Sequence, residues 1–148
     1  MMEDESNLEL RDVSNNDLLS LLNLLKHLTD TTEMSLSALQ SVAEARCRAG
    51  IITRVFVHKP SGQVVGTASL LVEQKFTRGG KYVGHVEDVV VDPAYRGKKL
   101  GQALIKDICA VARSRGCYKV ILDSAEKAID FYQKLGFRVC ERQMRLDL

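Results

Sequence analysis

Residues 84–112 read GHVEDVVVDPAYRGKKLGQALIKDICAVA. The stretch opens as an apolar strand with two carboxylates, Glu87 and Asp88, set into it. It turns at Asp92-Pro93, crosses a basic loop containing glycine, and continues as an amphipathic helix. A strand, a loop of free backbone N–H groups and a helix N-terminus together suit a phosphate-bearing ligand.

Working outward, the chain switches period several times. Residues 8–13 (LELRDV) read as a short edge strand, followed by the capping cluster Ser14-Asn15-Asn16-Asp17. Leu18, Leu21, Leu22, Leu25 and Leu28 mark one face of a helix, and a second helix is expected from near Ser37 to Gly50, with Gln40 completing a weak capping box. Residues 52–58 and 63–74 form a hairpin around Lys59-Pro60-Ser61-Gly62, and a basic loop at 75–81 leads to the strand 82–91. The central helix should run from about Lys98 to Ser114. A nearly continuous apolar strand at 119–123 reads as the middle of a parallel pair. A short helix at 127–135 and a final strand at 137–146 complete the order. This predicts one α/β (α+β) domain over 1–148: a mixed, mostly antiparallel twisted sheet flanked by helices.

The 148 residues suffice for one domain with a core, and no apolar run is long enough to span a bilayer. The N-terminus MMEDESNLEL has no apolar core of a secretory signal, so the expected location is the cytoplasm. The four cysteines contain no CxxC pair; three lie in apolar surroundings and are expected to be reduced core residues, and no metal is expected. Residues 1–95 carry a net −4 and residues 96–148 a net +6, which places an anionic ligand on the C-terminal half. Nucleic acid fits poorly, because there is no Trp and no interleaving of aromatic with basic residues. No membrane partner is expected either.

The strand, R-G-K-K-L-G, the helix and then LDSAEKAIDFYQKLGF together resemble the GNAT acetyltransferase superfamily. Its pyrophosphate-loop pattern is Gln/Arg-x-x-Gly-x-Gly/Ala. Arg96 and Gly101 match the ends, while Lys99 stands where glycine is usual, a departure expected to require ordinary helical angles at Lys99. Within the superfamily, GHVEDVVV, RGKKLG, CYKVILD (117–123) and LKHLTD (25–30) are similar to the glucosamine 6-phosphate N-acetyltransferase family. The resemblance implies a sheet splayed at the acyl-CoA site. It also implies direct attack of the amine of glucosamine 6-phosphate on acetyl-CoA in a ternary complex, on the route to UDP-N-acetylglucosamine, and a homodimer whose partner subunit completes the site.

The same resemblance assigns residues. Arg96, Gly97, Lys98, Lys99, Leu100 and Gly101 would hold the CoA pyrophosphate, and Val89, Val90 and Val91 would offer backbone to the thioester and pantetheine. Glu87 and Asp88 would line the amino-sugar pocket, with Glu87 holding the ammonium or taking its proton. Neighbouring strand residues point to opposite faces, so the two carboxylates are not expected to act as a close pair. Tyr132 would touch the cofactor and protonate the departing thiolate, its phenol and a thiol being of comparable basicity. Asp123 would bind sugar hydroxyls, and Thr29 would lie near the phosphate. Arg142 and Arg145 are the candidate phosphate cations, with Lys75, Arg78 and Lys81 as alternatives. Ala128 departs from a common asparagine that would bond the cofactor. Two other readings fit the same motifs: transfer to another amine (a protein, polyamine or aminoglycoside), and a non-catalytic acyl-CoA- or nucleic-acid-binding module.

Overall fold

A computed structural model describes residues 5–148. Strand β1 (Leu8–Asp12) leads through a capped turn into helix α1 (Leu18–Leu25), and α2 (Leu36–Arg48) follows. Strands β2 (Ile51–His58), β3 (Gln63–Gln74) and β4 (Tyr82–Val91) then form an antiparallel meander. Helix α3 (Leu100–Ser114) crosses back to β5 (Cys117–Ile121), which runs parallel to β4, and α4 (Ile129–Lys134) closes the regular structure. The sheet order is β1-β2-β3-β4-β5.

Two apolar layers hold the sheet. Leu104, Ile105, Ile108 and Ala112 of α3 pack on Phe56, Ala68, Leu70 and Val86, while Leu24 of α1 packs on Val55, Val57, Val64 and Val90. Gly84 lets α3 approach β4: a Cβ there would lie 2.9 Å from Cδ1 of the fully buried Leu70. At the first turn, Asp17 is 3 % exposed and accepts from the Ser14 backbone N–H at 2.7 Å and from Arg11 at 2.6 and 3.0 Å. Arg54 of β2 bridges Asp107 of α3, through a two-pronged contact, to Asp12 at 2.9 Å.

Several sequence expectations need correction. Residues 137–148 form no strand: a strand needs an edge to pair with, and this segment pairs with none in its own chain. β5 is an edge strand rather than a central one, with Ile121 exposed, and it starts at Cys117. The α2 cap is Ser35, whose Oγ accepts from the Ala38 N–H at 3.2 Å, so the helix starts before Ser37. Only Cys109 and Cys117 pack against the core; Cys47 and Cys140 are exposed.

Candidate active site

β4 carries an extra residue. Glu87 lies opposite Ser69 and Val90 opposite Thr67, so three steps on β4 face two on β3. Asp88 takes up the difference with φ of +50°. Such a bulge re-aims side chains and breaks alternation. Ser69 and Thr67 share a face, so Glu87 and Val90 share it too, and Asp88 opens into a cavity on that same side of the sheet. The expectation that Glu87 and Asp88 diverge to opposite faces is thereby overturned: simple parity does not survive a left-handed residue in the strand.

The second feature is a fork. β4 pairs with β5 only as far as His85, opposite Ile121; from Val86 onward β4 has no β5 partner. Glu87, Asp88, Val89, Val90 and Val91 therefore leave backbone on the β5 side unpaired within the sheet. Asp123, exposed, follows directly after the end of β5. The Val90 side chain is buried under α1, so its contribution to a ligand is limited to backbone.

Next to the fork lies the loop. Asp92 caps a short 3-10 turn (Pro93–Tyr95) through the Ala94 N–H at 2.9 Å, and Tyr95 anchors that turn in the core. Lys98 sits over the Tyr95 ring at 5.0 Å. A cavity of about 360 Å³ is lined by Val91, Arg96, Gly97, Lys99, Leu100, Gly101 and Phe131, at the N-terminus of α3. There the free N–H groups and the helix dipole favour an anion. Gly97 has φ of +83° and Lys99 φ of +61°. Lys99 is thus left-handed instead of helical, contrary to expectation: it still opens the helix as glycine would, but it carries a Cβ where that conformation is costly.

Tyr132 stands on α4. Its ring stacks edge-on to Phe131 at 5.0 Å and Phe137 at 5.7 Å, and it packs against the α3 side of the core. Its hydroxyl has no hydrogen-bond partner among the described residues. Burial pushes the phenol above its ordinary range, so it stays protonated at neutral pH. Phe131, from the same short helix, lies over Gly101: a Cβ added there would be 3.5 Å from Cζ of the ring. α4 therefore packs against the loop end of α3.

Other candidates are not gathered there. Thr29 is exposed in the turn after α1, its N–H bonded to the Leu25 carbonyl. Arg142 and Arg145 lie in the exposed terminal segment, and Arg145 is paired to Asp147 at 2.6 Å. Arg78 stacks on Tyr118 at 4.6 Å and Lys75 pairs with Glu73 at 3.1 Å. A second cavity, of about 1050 Å³, lies between α1, α2 and the sheet; of the candidates it takes in Asp88 alone. Two polar residues escaped the sequence reading. Arg46 reaches from α2 to Ser69 (2.9 Å) and Thr53 (3.2 Å), and His85 bonds Glu73 at 2.9 Å. Only the cross-strand register, which pairs Ser69 with Glu87, would have pointed to the first.

Comparison with known proteins agrees with this geometry. The model of the acetyltransferase (GNAT) family matches residues 21–137. The chain is 60% identical over 147 residues to glucosamine 6-phosphate N-acetyltransferase of Trypanosoma brucei brucei, covering 99% of this chain and 100% of the relative. A crystal structure of a Trypanosoma brucei acetyltransferase superposes with a TM-score of 0.94 at 61% identity, over 95% of this chain and 99% of that one. Glucosamine-6-phosphate N-acetyltransferase from Arabidopsis thaliana gives 0.90 at 31% identity, over 95% and 97% of the two chains.

Proposed function

This chain belongs to the acetyltransferase (GNAT) family, and we propose that it transfers the acetyl group of acetyl-CoA to the amine of glucosamine 6-phosphate. The observation that carries this reading is the near full-length match, at 60% identity, to a relative of that name; the strand fork and the loop before α3 support it.

The residues fit the co-substrate. Arg96 to Gly101 and the N-terminus of α3 offer N–H groups and charge to a pyrophosphate. The unpaired edge of β4 offers backbone groups to the pantetheine and the thioester oxygen. Tyr132, neutral and without another partner, protonates the leaving sulfur as the amine attacks directly. Glu87, on the bulged strand beside the fork, holds the sugar ammonium; Asp88 and Asp123 complete the sugar site.

The phosphate must meet a cation, and the cations stand outward. Arg142 has no ion-pair partner among the described residues. The terminal segment presents Val139, Met144 and Leu146 to solvent, and Phe76 is fully exposed at the tip of the 75–81 loop. A chain that leaves so much apolar surface beside an edge strand is suited to a homodimer in which the partner's segment supplies the missing strand and cation.

Thiol release from acetyl-CoA tests the reading, with glucosamine 6-phosphate set against glucosamine, a polyamine and a peptide amine. Turnover confined to the phosphorylated sugar is expected. Turnover with another amine alone would overturn the substrate while leaving the family in place.

A further inference from the structure

His85 is the last residue of β4 paired to β5 before the two strands part. Gly84 and Val86 face α3, hemmed by Leu70, Ala112 and Val120, so His85 and Glu87 project together from the other face. Two residues apart on a strand, their Cα atoms are about 7 Å from each other. His85 Nε2 lies 2.9 Å from Glu73 Oε1, and the same oxygen is 3.1 Å from Lys75 Nζ. The hydrogen bond to His85, and then Lys75, hold the Glu73 carboxyl below the usual carboxylate range. An ionised carboxylate only accepts, so Nε2 carries the hydrogen and Nδ1 keeps the basic lone pair. Nδ1 has no hydrogen-bond partner among the described residues.

The surrounding charges are few. On this side of the sheet lie Asp88 of β4, Lys119 of β5 with Asp123 just beyond it, and Arg46, which is held by Ser69 and Thr53. α1, which crosses β4, has no titratable residue between Leu18 and Leu25.

We propose that His85, seated by Glu73, takes up the proton that the acceptor amine gives away, with Glu87 as the group that passes it on. The proposal rests on the acetyl transfer proposed above. An imidazole is a stronger base than a carboxylate, so it is the better resting place for an amine's proton. The protons balance. An ammonium nitrogen starts with three and keeps one in the amide. One passes through Glu87 to Nδ1 of His85 and then to solvent. The third restores the Tyr132 phenol, through water, after Tyr132 has protonated the sulfur. The C–N bond forms as the C–S bond breaks, and sulfur leaves with the electron pair.

The test is the pH dependence of kcat, which reports groups in the substrate complex. It is measured at saturating acetyl-CoA for the wild-type protein, His85→Gln and Glu73→Gln. His85→Gln is expected to lower kcat about a hundredfold and to remove the acid limb, with KM for acetyl-CoA unchanged. Glu73→Gln, which strips the imidazolium of its counter-charge, is expected to move that limb to lower pH. A kcat within threefold of wild type in His85→Gln, or an acid limb unmoved in Glu73→Gln, overturns the proposal. Nitrogen NMR of the His85 ring serves as a second reading that needs neither a folded variant nor a substrate. Neutral His85 is expected to carry its hydrogen on Nε2, and a hydrogen on Nδ1 overturns the proposal. Failure of the wild-type protein to release thiol with glucosamine 6-phosphate would sink the substrate reading, while the ring measurement still decides the seating of His85 by Glu73.

Discussion

On the β1–β2 side of the molecule the structure answers its own charges. Buried Asp17 accepts from Ser14 and Arg11, Arg54 is shared by Asp107 and Asp12, and Leu24 of α1 closes over Val55 and Val57. On the β4–β5 side the opposite holds. Among the described residues, Glu87, Asp88 and Asp123 are exposed with no ion-pair partner and the Tyr132 hydroxyl has no hydrogen-bond partner, while Asp88 and Lys99 sit in left-handed backbone. The first side is built for stability. The second leaves its polar groups unmet and its backbone strained, which is what a site awaiting ligands requires.

The contrast can be broken from either end. The largest effect is expected on the open side: Tyr132→Phe should lower kcat by about a hundredfold or more. Its unfolding temperature should stay within about 2 °C of wild type, since the hydroxyl bonds nothing. A thermal scan beside a thiol-release assay checks both. On the closed side, Asp17→Asn leaves Arg11 without its charge and should cost about 3 kcal/mol, a fall of about 8 °C in the unfolding midpoint, with turnover per folded molecule unchanged.

Asp17 also gives the contrast a pH dependence. Burial raises its carboxyl, but Arg11 and Ser14 outweigh burial and hold it below the ordinary value. Its contribution is therefore complete above about pH 4 and is lost as the pH falls through the folded-state value. The acid side of a stability–pH curve should be shallower in Asp17→Asn than in wild type. Equal slopes would remove Asp17 from the account.

The smallest effect sharpens the picture of strain. Lys99→Gly relieves a left-handed Cβ and should stabilise the chain by about 1 kcal/mol in urea unfolding, with acetyl-CoA affinity weakened at most a fewfold. Loss of stability in this variant would mean that the Lys99 side chain holds the loop rather than straining it.

Runs of apolar, β-branched residues bounded by turn and loop residues made β3 and β4 readable to their ends. The loop from Arg96 to Gly101 was legible because glycines and cations gathered between a strand and a helix stand out in the sequence. The bulge at Asp88 was not legible, since one inserted residue leaves the composition of the strand unchanged and shows only in the register against β3. The Glu73–His85 pair was hidden similarly, its members being 12 residues apart and joined across two strands. The terminal segment misled in the other direction. Its sequence reads as a strand, yet pairing is decided by an available edge, and within one chain residues 137–148 pair with none.

A crystal structure of the protein with CoA and N-acetylglucosamine 6-phosphate would test the central claim most directly. The account predicts the sugar at the β4–β5 fork, its acetamide nitrogen within hydrogen-bond reach of Glu87 or one water away, and the CoA sulfur beside the Tyr132 hydroxyl. A sugar bound away from the fork, with Glu87 and Asp123 out of its reach and the CoA sulfur far from the Tyr132 hydroxyl, would contradict it.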